Sequence, residues 1–325
     1  MIIPEKLKNN DEIRIIAPSR SLKLISEECR DYANRCFAEM GLKVTFSKNC
    51  EISDDFMSSS IEERIEDLHE AFADKNVKCI LTVIGGFNSN QLLRYIDYDL
   101  IKSNPKILCG YSDITALSNA IYSKTGLVTY SGPHYSTFGM KKGIDYTIEY
   151  FKRCLFSKDE YKIEPSKMWS DDLWFLEQEE RNFYKNSGYK SLGSGRVEGK
   201  IIGGNLCTLN LLQGTEFMPD LTETLLFIED DGMTSPEIFD RDLQSLIHQP
   251  NFEKVRGIVF GRFQIESKME EKLFEKIIST KAELKNMPII YNADFGHTTP
   301  HITFPVGGYG EISSGEKIEI IIKKH

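Results

Sequence analysis

Short apolar runs alternate with amphipathic stretches through the first 130 residues of the chain. Residues 12–17 (EIRIIA) predict a β-strand, ended by Pro18 and Ser19. Residues 26–41 carry helical spacing and close at Gly41, a residue suited to a helix C-terminus. A second strand is predicted over 43–46. Ile61, Ile65, Leu68 and Phe72 share one face of a helix over 60–74. Residues 79–84 form a continuous apolar strand followed at once by Gly85 and Gly86, and a helix is predicted to begin over 90–96. A strand over 106–109, a helix over 113–125 and a strand over 127–130 complete the series. Strands and helices alternating at this pace predict βαβ units around a mostly parallel sheet. In such sheets, ligands bind where strand carboxyl ends meet the following helices.

The pattern breaks over 157–198, which holds both tryptophans, Trp169 and Trp174, many charges and the turn-rich SLGSGRVEG. This stretch reads as a linker and lid-like excursion. Strand- and helix-like segments resume at Gly199: KIIGGNL, LLFIE, FDRDLQSLIHQ, GIVFGRF, a charged helix near 270–285, PIIYNAD and a strand-rich tail. The expected division is an N-terminal α/β domain over 1–156, the linker and substrate loop over 157–198, and a C-terminal domain over 199–325.

Composition narrows the function classes. Of 325 residues, 40% are hydrophobic and 27% charged, an ordinary globular balance. The net charge of -9 disfavours a nucleic-acid binder, which usually presents a basic face. The seven cysteines are odd in number and form no C-x-x-C pair, so neither a disulfide framework nor a zinc ribbon is indicated. No signal-peptide pattern opens the chain, and no apolar run approaches the roughly 18 residues of a membrane helix. A cytoplasmic protein with reduced thiols, no membrane and no nucleic-acid partner is expected.

Candidate chemistry gathers at the predicted strand ends. In KILCGYSDITALSNAIYSKTG a strand ends at Cys109, Gly110 and Tyr111 turn the chain, and Ser112 stands just before a helix. A serine at such a corner is exposed at the sheet edge, as at a nucleophile elbow. The sequence is not G-x-S-x-G, because position 114 is Ile. Locally, Ser112 and Asp113 read equally as a helix cap. The IGGFNSN segment supplies two glycines whose backbone N–H groups, with that of Asp113, suit an oxyanion hole, or else simply a tight turn.

A nucleophilic serine needs a base. Of six histidines, His69, His248 and His325 read as surface or structural, His134 as a candidate to line a pocket, and His297, in NADFGHTTPHITFP, as the base. Glu229, at the end of the apolar LLFIE run, is the carboxylate best placed to orient an imidazole. Asp230 and Asp231 read as solvated or capping residues. The H-x-x-x-H spacing of His297 and His301 offers a competing metal reading, with Asp294 and Glu229 nearby. Pro300 and the β-rich run after it argue against the helix that spacing needs.

The segments IGGFNSNQLL, GYSDITAL, IIGGNL, LLFIEDDG and DFGHTTPHITFPVGG occur in this order over roughly residues 10–320. The set resembles the LD-carboxypeptidase and microcin C immunity family of serine peptidases. The resemblance implies a Ser112–Glu229–His297 triad and an oxyanion hole from the N–H groups at Gly86 and Asp113. It implies an α/β fold, with an N-terminal mostly parallel, flavodoxin-like domain and a C-terminal β-rich α/β domain. A homodimer is implied, and no metal or organic cofactor. Two activities divide the family: release of a terminal D-amino acid from murein tetrapeptides, and cleavage between an aminoacyl or peptidyl group and a modified adenylate. The segment MWSDDLWFLEQEERNFYKNSGYK resembles the substrate loop of the immunity type, where an aromatic residue stacks on the base. Trp174 is the first candidate for stacking and Trp169 the second, against the alternative that both anchor the loop. Gly85 and Asn205 complete the expected substrate contacts, Asn205 reading alternatively as a turn residue. A non-catalytic protein binding nucleotides or muropeptides would share the glycine turns and tryptophans without needing the triad.

Overall fold

The computed structural model describes all residues, Met1–His325, and builds two sheets. The first contains β1 (Glu12–Ile16), β2 (Lys43–Phe46), β3 (Val77–Thr82), β4 (Ile107–Cys109) and β5 (Thr129–Ser131). Its order is β2-β1-β3-β4-β5, every pair parallel, the arrangement of flavodoxin-like folds. The apolar runs make these strands because helices cover the sheet, so β3 and β4 are buried almost throughout.

The helices follow from spacing and caps. In α1 (Glu27–Glu39) the buried residues Cys29, Ala33 and Phe37 recur every fourth position. In α2 (Ile61–Ala73), Ser60 and Glu63 form a reciprocal capping box, and Leu68, Ala71 and Phe72 turn inward. A helix predicted to start over 90–96 is instead a 3-10 turn, Ser89–Leu92, and the next helix, α3, spans Tyr98–Ser103 after an Asp97 cap. The short polar side chains of the NSN run favour local turns over a helix interior. The helix α4 (Thr115–Thr125) ends at Gly126 with φ 75°, and α5 (Asp145–Phe156) closes this half.

The stretch after α5 differs from a free excursion. It contains β6 (Tyr161–Ile163), the two-residue strands β7 (Met168–Trp169) and β8 (Tyr184–Lys185), and β9 (Lys190–Leu192). Both β6 and β9 join the second sheet, one at each edge, whereas β7 and β8 pair only with each other. The sheet's centre is β10 (Gly195–Asn205), β11 (Thr224–Glu229), β12 (Gly257–Gly261) and β13 (Ile289–Ala293), all parallel. Helices α6 (Leu206–Asn210), α7 (Pro236–Ile247) and α8 (Glu271–Ser279) connect them. The tail forms β14 (Phe304–Val306), β15 (Tyr309–Ser314) and β16 (Glu319–Lys324). β15 and β16 extend the second sheet, but β14 pairs antiparallel with β5 of the first. One hydrophobic cluster, including Leu108, Ile202, Phe227 and Phe304, runs through both sheets. The chain therefore binds its halves through shared apolar burial as well as through β14. No helix is long and apolar enough to cross a membrane.

Candidate active site

The carboxyl ends of the parallel strands converge on one locality. After β4, Gly110 admits the turn because any side chain there would meet Thr82 Oγ1, 2.2 Å from an added Cβ. Ser112 follows with φ 59°, a left-handed conformation unusual outside glycine, and opens a 3-10 turn that feeds α4. Such a conformation costs about 1–3 kcal/mol and persists where the surroundings enforce it. Here they do. The Asp113 carboxylate, buried beside it, accepts hydrogen bonds from Ser19 Oγ (2.6 Å), Ser89 N (2.9 Å) and Asn88 N (3.1 Å). The glycine loop after β3 is thereby tied to the serine corner. A Cβ on Gly85 would stand 3.1 Å from Ser112 Oγ, a tight contact that glycine avoids as the backbone lies against the hydroxyl.

His297 reaches the same hydroxyl from the loop after β13. Its Nε2 is 3.0 Å from Ser112 Oγ and its Nδ1 is 2.8 Å from Glu229 Oε2. Glu229, the last residue of β11, is 3% exposed. Gly261 and Gly296 make room for it: a Cβ on either would lie within 2.8–2.9 Å of Glu229 atoms. Burial alone would depress the His297 imidazole, but the Glu229 charge and hydrogen bond outweigh it, with Asp231 and Asp230 adding to them, and its pKa is raised. The predicted Ser112, His297 and Glu229 thus form one hydrogen-bonded line from three distant segments. The backbone N–H groups of Gly86 and Asp113 beside it donate to no protein acceptor.

Three more residues complete this surrounding: Tyr111, which the sequence reading gave no role beyond the turn, His301, read there only as a possible metal partner, and His134, expected to line a pocket. The Tyr111 ring packs against His134 (centroids 4.4 Å apart), His301 (4.9 Å) and His297 (5.3 Å). His134 holds Thr82 Oγ1 at 2.7 Å through Nδ1. Burial first, then the neighbouring imidazoles, keeps His134 well below the usual imidazole range, and His301 is pushed down to about 3 for the same reasons. Neutral neighbours leave room for a positive charge on His297. The GPH and TPH segments carried this signal as paired buried histidines, but nothing in their spacing fixed what they pack on. His301 does not join His297 in a metal-like group, and no three His, Cys, Asp or Glu side chains are placed to hold an ion.

Asp230 departs from the expectation of a solvated acid. It is 1% exposed, and burial first, then the Glu229 charge, raises its pKa to about 7. The EDDG run looks hydrophilic, but β11 drives its first two residues inside and leaves Asp231 half-buried outside them. A raised carboxyl pKa means the folded state holds the proton more tightly than the unfolded chain. Stability from this group is full in acid and is lost as pH rises from about 4 towards 7. Asp230→Asn is expected to stabilise the protein by about 2–4 kcal/mol at pH 8 and far less at pH 4. Urea melts of both proteins at the two pH values check this; equal pH responses would refute it.

The expected substrate contacts separate by environment. Asn205 is buried and caps α6, its Oδ1 accepting from Thr208 N (3.1 Å) and Thr208 Oγ1 (2.9 Å), while its Nδ2 lies 3.4 Å from Asp230 Oδ1. Trp174 packs against the main hydrophobic cluster. Trp169 instead lines a cavity of about 510 Å³ at the ends of β12 and β13, over the Arg262 guanidinium at 5.1 Å. Gly261 lines the same cavity, whereas Ser112, His297 and Glu229 do not. Both tryptophans are half-buried, and the Trp169 ring also packs on Tyr184, with centroids 5.1 Å apart.

Comparison with known proteins agrees with this architecture. Residues 13–132 match the LD-carboxypeptidase N-terminal domain and residues 198–312 its C-terminal domain. The crystal structure of an MccF-like protein from Bacillus anthracis is 54% identical, with a TM-score of 0.99 and full coverage of both chains. The microcin C7 self-immunity protein MccF of Escherichia coli is 35% identical over 82% of this chain and 80% of its own. A structure of MccF in complex with glutamyl sulfamoyl guanosine superposes with a TM-score of 0.90 at 32% identity, covering 99% of this chain and 98% of that one. The chain belongs to the LD-carboxypeptidase family and is a serine carboxypeptidase-type hydrolase.

Proposed function

We propose that Ser112 is the nucleophile, His297 the general base and Glu229 the carboxylate that orients it, in hydrolysis of the bond joining an aminoacyl or peptidyl group to a modified adenylate. The observation that carries the triad is the unbroken line from Glu229 Oε2 through His297 to Ser112 Oγ, at 2.8 and 3.0 Å. Neutral His297 accepts the Ser112 proton at Nε2 as Oγ attacks the substrate carbonyl carbon. Glu229 keeps the other proton on Nδ1 and offsets the imidazolium charge. The carbonyl oxygen becomes an oxyanion that accepts from the Gly86 and Asp113 N–H groups. His297 then passes its proton to the leaving nitrogen, the C–N bond breaks, and water attacks the acyl-enzyme by the reverse route.

The substrate assignment rests on MccF being solved with an aminoacyl sulfamoyl nucleoside. Trp174, or else Trp169, offers the stacking face in this reading; Gly85 and Asn205 shape the wall nearest the scissile bond. Murein tetrapeptide cleavage is the second reading, favoured by the family match itself. An aminoacyl sulfamoyl adenosine and a murein tetrapeptide, offered separately to the purified protein, discriminate them. Hydrolysis of the nucleoside conjugate with at least tenfold higher kcat/KM is the expected result. Turnover of the tetrapeptide alone would replace the first reading with the second.

A further inference from the structure

The cations at the mouth of the site are not equivalent. Arg64 is committed: it donates to the carbonyl oxygens of Pro18 (3.3 Å) and Asn88 (3.1 Å) and to Gln91 Oε1 (2.8 Å). Arg20 is not. Its half-buried guanidinium enters no ion pair and no hydrogen bond, and lies over the Phe87 ring with Cζ 5.0 Å from the centroid. Phe87 is itself 65% exposed.

Its position is fixed by the same contacts that build the serine corner. Ser19, the residue before it, donates through Oγ to Asp113 (2.6 Å) and accepts at its carbonyl from Ser58 Oγ (2.6 Å). The Arg20 N–H donates to Gly85 O at 3.4 Å. A Cβ on Gly86 would lie 2.9 Å from Arg20 Cγ, so the arginine stem packs directly on the glycine next to the one that abuts Ser112 Oγ. The guanidinium carbon lies over the Phe87 ring, and its N–H groups are taken by no protein acceptor. A guanidinium held in that way suits a two-oxygen anion, which it can bind through parallel hydrogen bonds.

We infer that Arg20 is a specificity-determining residue that pairs with an anionic group of the substrate beside the scissile bond. A carboxylate is the simplest such group. It has two sources: the terminal carboxylate of a released amino acid, or an acidic side chain on the acyl group. The inference rests on Ser112 being the reacting hydroxyl, because only then is the Gly85–Gly86 turn the wall next to the scissile bond.

Calorimetric binding to the Ser112→Ala protein, with and without Arg20→Gln, tests it free of turnover. One pair of ligands is a murein tetrapeptide and its C-terminal amide; the other is aspartyl and asparaginyl sulfamoyl adenosine. In at least one pair the charged member is expected to bind about 10- to 100-fold more tightly. Arg20→Gln should reduce that ratio to within about twofold while leaving the neutral member unchanged, and Arg20→Lys should restore part of it. The pair that responds identifies the source of the carboxylate. Loss of charged and neutral binding alike, no loss of either, or no charge preference in either pair would overturn the assignment. Failure of the nucleophile reading shows separately, as hydrolysis persisting in Ser112→Ala.

Discussion

Replacing Ser112 with alanine is expected to lower kcat by roughly 10⁴- to 10⁶-fold, the range seen when a serine nucleophile is removed. The fold should survive. The Ser112 hydroxyl has a single protein partner, His297 Nε2, so its loss strands no second buried group. The left-handed backbone at Ser112 is enforced by Asp113, Ser19 and the Gly85 approach, none of which needs the hydroxyl. The melting temperature should therefore stay within a few degrees of the parent, which a thermal scan beside the hydrolysis assay would check. Substantial activity in a pure Ser112→Ala sample would remove the serine from the mechanism. Failure to label with a serine-directed probe, with ligand binding intact, would point instead to a binding protein.

The parts of this site that were legible in the sequence lie at the ends of strong apolar strands. The runs ending at Cys109, Glu229 and Ala293 announce buried parallel strands, and a polar residue just past such a strand must sit at the sheet edge. That logic places Ser112, Glu229 and His297 each at the carboxyl end of a strand, but these strands lie in two different sheets, and the strand pattern alone does not bring the three together. It does not reach the contacts that cross between segments. Asp113 reads as a helix cap, yet its carboxylate fastens Ser19 and the 88–89 turn, partners 94 and 24–25 residues away.

The stretch over 157–198 was opaque for a related reason. Its strands β6 to β9 are two or three residues long, too short for alternation to register, and the partners of β6 and β9 lie far off in sequence. β6 pairs with β16, and β9 with β13, so sheet membership is decided by the distant strand. β14 is similar. Its FPV run looks like part of the C-terminal tail, but it pairs with β5 and completes the first sheet. Asp230 fails as a sequence reading because charge predicts exposure only while the backbone leaves a choice, and its place directly after the buried end of β11 keeps it inside. Trp169 and Trp174 have similar polar neighbours, and only tertiary contact separates the one beside Arg262 from the one on the core.

Glu229→Gln should cost about 10³- to 10⁴-fold in kcat while leaving Ser112 and His297 in place. The carboxylate has two tasks, and the amide fails at both. It accepts the His297 Nδ1 proton, which keeps Nε2 free to receive the serine proton. A glutamine can instead present its NH₂ to Nδ1, which favours the wrong tautomer. It also supplies the charge that lifts the His297 pKa against burial. The sign of the pH effect follows. Neutral His297 is the active base, so kcat/KM in the parent rises with pH as the imidazole loses its proton, along a limb lying above the ordinary value near 6.5. Without the Glu229 charge, burial dominates, and the limb should move to lower pH. Asp230 should shift the same way, because part of its elevation comes from Glu229. A kcat/KM profile from pH 5 to 9 for both proteins reads the displacement directly. A large rate loss with an unmoved limb would mean that Glu229 holds the ring without setting its charge, and a limb moved upward would contradict the electrostatic assignment outright.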